Sequence, residues 1–165
     1  MERPLWLPAM EPVEGPVEGV LRRLYQRFLA DFRTSACQFK GLPVGWDQAS
    51  VVILGQLIDG GFWHLVSRED QKAKARKFDP RRAERMVWCS PLLRNADDDQ
   101  VLVWQYREGH GRTRTYVWLE RWDYVVVLEE RSTHAGTVMQ LVTAFYVDGR
   151  ATTRAFRRKY ELRIR

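Results

Sequence analysis

Cysteine is scarce in this chain. The two that occur, Cys37 and Cys89, lie far apart with no Cys-x-x-Cys pattern, and the three histidines, His64, His110 and His134, form no pair at metal-ligand spacing. Neither a disulfide framework nor a structural zinc site is indicated, and a reducing cytoplasm is the compartment that fits. Long hydrophobic runs are missing too. The longest apolar stretches are strand-sized, against the roughly 20 residues of a membrane span, and no charged start with an apolar core marks a secretory signal. No membrane partner, cofactor or metal is expected. Acidic residues are outnumbered, 21 Asp and Glu against 27 Lys and Arg, for a net charge of +6. That balance favours a polyanionic partner, most commonly nucleic acid, with an acidic protein as the other option.

What is present is ample for a core: 45% of the 165 residues are hydrophobic and 12% aromatic, the length of one domain. The chain is organised around residues 100–148. Runs 101–106, 113–119, 124–129 and 138–147 are rich in β-branched and aromatic residues at strand length. The breaks between them, Glu108 to Gly111, Glu120 to Asp123 and Ser132 to Gly136, are too short for a crossover helix, so the strands form an antiparallel meander. The expected class is α+β: N-terminal helices covering one face of a roughly four-stranded antiparallel sheet, followed by a basic C-terminal tail.

Residues 1–16 hold four prolines interleaved with glutamates and are expected to run as an arm over the surface of a single domain, 17–165. From Val17 to about Ala36 the set Val20, Leu21, Leu24, Phe28, Leu29 and Phe32 recurs at helical spacing. Residues 39–44 and 51–55 read as short extended pieces, and Asp59-Gly60-Gly61 as a turn. Residues 62–67 read as a strand that sets His64 beside Phe62 and Val66 among apolar groups, which suits either a structural histidine or a catalytic one. Residues 68–77 are dense in charge and read as a solvated loop.

Asp79-Pro80 starts a helix that runs to about Asn95: Asp caps the free N–H groups and Pro fits the first helical position. Ala83, Met86, Val87 and Leu92 form its buried stripe, and Pro91 kinks it. Arg81, Arg82 and Arg85 sit in its first two turns, where positive charge opposes the macrodipole and calls for a carboxylate or a phosphate. Asp97, Asp98 and Asp99 read as a solvated turn. The tail carries Arg150, Arg154, Arg157, Arg158 and Lys159 with Phe156, Tyr160 and Leu162 at helical intervals, either a solvated basic helix or a patch that tracks phosphates.

The order of these motifs resembles the phage-type branch of the barnase, EndoU, colicin and RelE-like nuclease superfamily. The resemblance runs through Tyr25 to Phe32, Phe39-Lys40-Gly41, Gly61 to Leu65, Arg76, Asp79, the helix from Arg81 to Trp88, residues 116–119, 124–129 and 141–146, and Arg158 to Glu161. It implies metal-independent cleavage of RNA, often by a toxin held in check by an antitoxin or immunity protein. It also points to His64, Arg82 or Arg85, and Thr143 as site positions. Such cleavage needs a base for the 2′-OH proton, fixed positive charge for the phosphorane oxygens and an acid for the leaving oxygen. His64 suits base or acid, Arg82 or Arg85 the phosphoryl oxygens, and Thr143 the orientation of the phosphate. Tyr146 or Lys159 suits a supporting donor, with Arg81 and the arginines of the tail on the RNA backbone. Thr143 and Tyr146 fall on opposite faces of a regular strand, so only one can face the groove of His64 unless a bulge intervenes. The competing readings are a binding module with a nuclease-like fold and no activity, and a phage-associated structural protein.

Overall fold

The computed structural model describes residues 2–165. Its centre is a mixed α+β arrangement built on a six-stranded sheet. The meander is present as β7 (Leu102–Arg107), β8 (Thr113–Leu119), β9 (Tyr124–Thr133) and β10 (Gly136–Tyr146), each antiparallel to its neighbour. Two strands from earlier in the chain extend the expected four. β1 (Gln38–Phe39) and β2 (Leu42–Gly45) form a hairpin, and β2 pairs parallel to β10 through Val44 with Met139 and Gly45 with Gln140. The sheet order is therefore β1-β2-β10-β9-β8-β7. A partner so distant in sequence leaves no local signal. The Lys40-Gly41 turn of that hairpin has both residues at positive φ, 47° and 80°, the twist that suits a two-residue connection.

Both faces of the sheet are covered, where one covered face is expected from the sequence. On the first face Val117, Leu119, Tyr124, Val126, Leu128, Met139, Leu141 and Ala144 join a core with the N-terminal helices. On the second, Trp104, Tyr116, Trp118, Val125 and Val127 pack under Phe156. Phe156 belongs to the helix Gly149–Glu161, numbered α5 below, so the basic tail is a packed element. Its ring lies 5.8 Å from Tyr116 and 5.9 Å from Trp118.

The helix α1 spans Val17–Leu29 and buries Val20, Leu21, Leu24 and Phe28, then widens into one π-type turn at Ala30–Thr34. Phe28 is its anchor, with ring centroids 4.8 Å from Phe32 and 5.5 Å from both Trp46 and Phe62. β3 (Ser50–Ile53) and β4 (Gln56–Asp59) form a separate hairpin. Residues 60–66, expected as a turn and a strand, are instead the helix α2 (Gly60–Val66), which buries Phe62, Leu65 and Val66 at helical spacing. The charged segment expected as a loop is a hairpin, β5 (Ser67–Asp70) with β6 (Ala75–Phe78).

Asp79 caps the next helix by accepting from the N–H groups of Arg81 and Arg82 at 2.9 and 3.3 Å. The expected single helix is two, α3 (Pro80–Arg85) and α4 (Cys89–Arg94), separated by a 3₁₀ turn at Met86–Trp88. Pro91 has no N–H to return to Val87 and its ring crowds that carbonyl, so the break falls one turn before the proline. Among the described residues no helix is long and apolar enough to cross a membrane.

The proline-rich arm has no helix or strand, yet it is fastened down. Leu7 is 2% exposed in the first core, Trp6 Nε1 donates to Asp98 at 2.8 Å, and Trp88 Nε1 donates to the Pro8 carbonyl at 2.9 Å. Leu7→Ala is expected to lower unfolding stability by about 2–5 kcal/mol, the cost of emptying a core leucine site. Leu5→Ala, at a side chain that is 105% exposed, should stay within about 0.5 kcal/mol of the parent. Urea titration followed by tryptophan fluorescence reads both, and equal effects would show that the arm is not part of the core.

Candidate functional site

The placement of His64 begins with two glycines. α2 starts where the loop 46–49 crosses its first turn: Gly60 N–H donates to the Ala49 carbonyl at 2.8 Å and Gly61 N–H to the Asp47 carbonyl at 2.9 Å. A Cβ on Gly60 would stand 2.7 Å from Asp47 Oδ2, and one on Gly61 3.1 Å from the Asp47 backbone and from Trp46 Cβ. The glycines are present for close approach rather than for a turn. Just before them the buried Asp59 accepts from Tyr25 Oη at 3.0 Å, Trp46 Nε1 at 2.9 Å and Arg33 at 3.5 Å. One carboxylate thus ties α1, the loop after β2 and the start of α2 together, one turn from His64.

The β5–β6 hairpin and α3 bring two arginines to the other end of α2. Arg76 donates to the Ser67 carbonyl at 2.7 Å, to Ser67 Oγ at 2.8 Å and to the His64 carbonyl at 3.3 Å. Arg82 donates to the same Ser67 carbonyl at 2.8 Å and lies over the Phe145 ring at 5.4 Å. Two guanidiniums therefore share one neutral acceptor. Arg82 also has Asp79 at 3.9 Å, already engaged as a helix cap. Burial is the main cause that lowers the pKa of each arginine, and for Arg76 the charge of Arg82 adds to it. An anion would relieve both.

His64 feels the same environment. Burial first, then the charges of Arg76 and Arg82, lower its pKa from 6.5 to about 4, with Asp47 opposing weakly. The imidazole is neutral at neutral pH and able to accept a proton. It stands at the edge of a groove of about 520 Å³ that runs over the second face of the sheet, past Val142, Gln140, Glu129, Arg131 and Arg114. Glu129 lies 3.5 Å from Arg112 and 3.8 Å from both Arg114 and Arg131, so cations outnumber the carboxylate there.

Thr143 reaches this face because of an irregularity. Leu141 pairs with Leu128 and Thr143 with Val127, so Val142 is the extra residue of a bulge. In an unbroken strand Thr143 would share the core face of Leu141. After the bulge it shares the face of Val127, while Tyr146, opposite Tyr124, takes the core face. His64 and Arg82 come from α2 and α3, which both pack against β10, and Thr143 lies on the second face of that strand without lining the groove, where Leu141 and Val142 do.

The other expected site residues lie elsewhere. Tyr146 is covered by Arg81 at 4.1 Å and Arg85 at 5.5 Å in a second cleft that shares no lining residue with the groove. Arg85 is also bonded to Glu84 and, at 2.9 Å, to the Arg81 carbonyl. Arg150, Arg154 and Arg157 line that second cleft, and Arg158 is exposed further along α5. Lys159 sits between the rings of Tyr106 and Tyr116, bonded to Glu108 at 2.9 and 3.0 Å and to Tyr116 Oη at 2.9 Å. Burial opposes its charge, but those bonds outweigh burial and raise its pKa. It is a fastening for α5, away from His64. His110 and His134 are exposed in turns. Arg76 is the main contributor missing from the residue-level reading; Arg76 and Phe78, two apart, share one side of β6, a strand signal hidden by the surrounding charge. Among the described residues no group of three or more His, Cys, Asp or Glu is placed to hold a metal ion.

Comparison of the chain with protein-family models, with curated proteins and with solved structures finds no match.

The depressed His64 pKa has a thermodynamic consequence. The unfolded chain takes up the proton near pH 6.5 and the folded chain only near 4, so this contribution to stability is complete above 6.5 and lost as pH falls towards 4. His64→Asn should therefore show a shallower fall in Tm than the parent across that window. Parallel curves would mean that the imidazole titrates as it does in water.

Proposed function

We propose that this protein is an endoribonuclease that cleaves RNA without a metal, using the substrate's 2′-OH as nucleophile. The observation that carries this reading is a neutral imidazole held beside two guanidiniums that lack a full counter-charge, at the rim of an open groove. That is the equipment for the first half of a transesterification. His64 accepts the 2′-OH proton as the 2′ oxygen attacks phosphorus, and Arg76 and Arg82 hold the charge that builds on the non-bridging oxygens. The Thr143 hydroxyl orients the phosphate. The bond from phosphorus to the 5′ oxygen breaks, giving a 2′,3′-cyclic phosphate and a 5′-OH. The leaving oxygen takes its proton from water in the open groove, since Tyr146 and Lys159 are committed elsewhere.

The motif resemblance supports the same chemistry and adds a cellular setting: a toxin or effector acting in the cytoplasm, restrained by an acidic antitoxin or immunity protein that complements the +6 chain. A binding module with a nuclease-like fold would use the same cations and leave His64 without a task.

Incubation of the purified protein with mixed cellular RNA in EDTA distinguishes these readings. The wild type should produce fragments ending in cyclic phosphate, and His64→Ala should lose roughly 10²- to 10⁴-fold in rate, the usual worth of a general base. Thr143→Ala should lose less. Because kcat/KM reports the free enzyme, its acid limb should have a midpoint near 4 rather than 6.5. Cleavage by His64→Ala at the wild-type rate would remove the mechanism. Salt-sensitive binding with intact RNA in every sample would establish the binding module instead.

A further inference from the structure

The second cleft is larger than the groove, about 720 Å³, and it collects positive charge from two elements far apart in sequence. Arg81 and Arg85 come from α3, and Arg150, Arg154 and Arg157 from α5, with Tyr146 beneath. Against these five arginines the lining itself contains two aspartates, Asp123 and Asp148. Three of the five have a carboxylate partner: Arg81 meets Asp148 at 3.4 Å with both side chains more than half exposed, while Arg85 meets Glu84 and Arg157 meets Glu120, both glutamates lying outside the lining. The side chains of Arg150 and Arg154 have no ion-pair or hydrogen-bond partner among the described residues.

Arg81 and Arg85 are held by stacking on Tyr146, at 4.1 and 5.5 Å, and Arg85 also on Trp88 at 5.6 Å. A ring fixes a guanidinium without neutralising it, so the donors that Asp148, Glu84 and the Arg81 carbonyl do not take stay available for an oxyanion. That is an orienting device for phosphate, which two planar donors grip better than a mobile lysine would.

We infer that this cleft is a phosphate-binding subsite for the RNA strand that flanks the scissile bond. The identity of the strand rests on the function proposed above; the anion chemistry does not. The geometry links the two places. Val142 lines the groove and Tyr146 lines the cleft on the same strand, four residues apart, which at about 3.3 Å per residue is about 13 Å. Arg81 and Arg82 are sequence neighbours that point to the cleft and to the His64 side respectively. A strand whose scissile phosphate lies beside Arg82 has the cleft arginine Arg81 on the adjacent residue and can continue into the cleft.

The test uses a fluorescein-labelled single-stranded RNA of mixed sequence in EDTA, with every protein carrying His64→Ala so that the probe stays intact. Arg150→Gln/Arg154→Gln should weaken binding about tenfold. It should also reduce the slope of log Kd against log salt by about 1.4, two contacts at about 0.7 each for a single strand. Arg3→Gln/Arg22→Gln removes the same charge from exposed positions away from the cleft and should change neither. Equal weakening by the two pairs would reduce the effect to net charge and overturn the assignment. Unchanged RNA affinity in the cleft variant would also overturn it, and would leave the cleft to an acidic protein. A wild type that binds RNA with the predicted cleft dependence but never cuts it would sink the catalytic reading alone and leave this subsite standing.

Discussion

A sheet with apolar side chains on both faces must be covered twice, and the layout of this protein follows from how far each cover extends. α1 to α4 and the N-terminal arm bury the first face throughout. The second face has only α5, a helix of 13 residues, which shields Tyr116, Trp118, Val125, Val127 and Phe145. Beyond its reach the same face changes character: Arg114 follows from Tyr116, Glu129 and Arg131 from Val127, and Gln140 lies across from Glu129. The groove is therefore the part of the face that the last helix leaves uncovered, and its polar lining is what allows it to stay open to water.

β10 decides what borders that groove. β2 pairs with it at only two positions, which leaves its second half with an unpaired edge. Exposed strand edges invite further pairing, and here the edge is occupied by α2 and α3, so the elements that protect it are also those that deliver His64 and Arg82. Two local departures from regularity then set the side chains. The glycine pair lets the loop 46–49 sit against the first turn of α2, and the bulge at Val142 turns Thr143 towards the open face. Neither affects the core much, because Met139, Leu141 and Ala144 all remain within it.

The elements legible in the sequence were those with long, repeated patterns: the meander, the stripe of α1, the Asp79 cap and the packed face of α5. Where the pattern was short or the signal non-local, reading failed. Seven residues with four apolar side chains fit a strand as well as a helix, and only the contacts of Gly60 and Gly61 resolve the ambiguity for α2. The β5–β6 hairpin is nearly all charge, so it shows no alternation of polarity to mark it. The parallel pairing of β2 with β10 depends on residues nearly a hundred positions apart. Within the candidate site Arg82 lies close enough to His64 to lower its pKa, whereas Arg85, paired with it in the sequence, faces the cleft. Positions 81 and 85 share a face, and 82 is turned away by about 100°. That rotation separates the groove from the cleft.

Placing like charges around a histidine has an effect that depends on what is bound. In the free protein burial, Arg76 and Arg82 keep His64 neutral but also make it a weak base. A phosphate seated between the guanidiniums cancels most of their field at the imidazole and adds a negative charge of its own, and both changes favour the protonated form. On the proposed reading the substrate therefore raises the basicity of the residue that must deprotonate it. The imidazole starts unprotonated, ready to accept, and on that reading gains proton affinity only with RNA in place. The two arginines that oppose a proton on His64 before binding would then be the same ones that hold the phosphorane charge after it. A lone histidine in a neutral pocket would have to compromise between being unprotonated and being basic. Here the charge of the ligand separates these requirements in time.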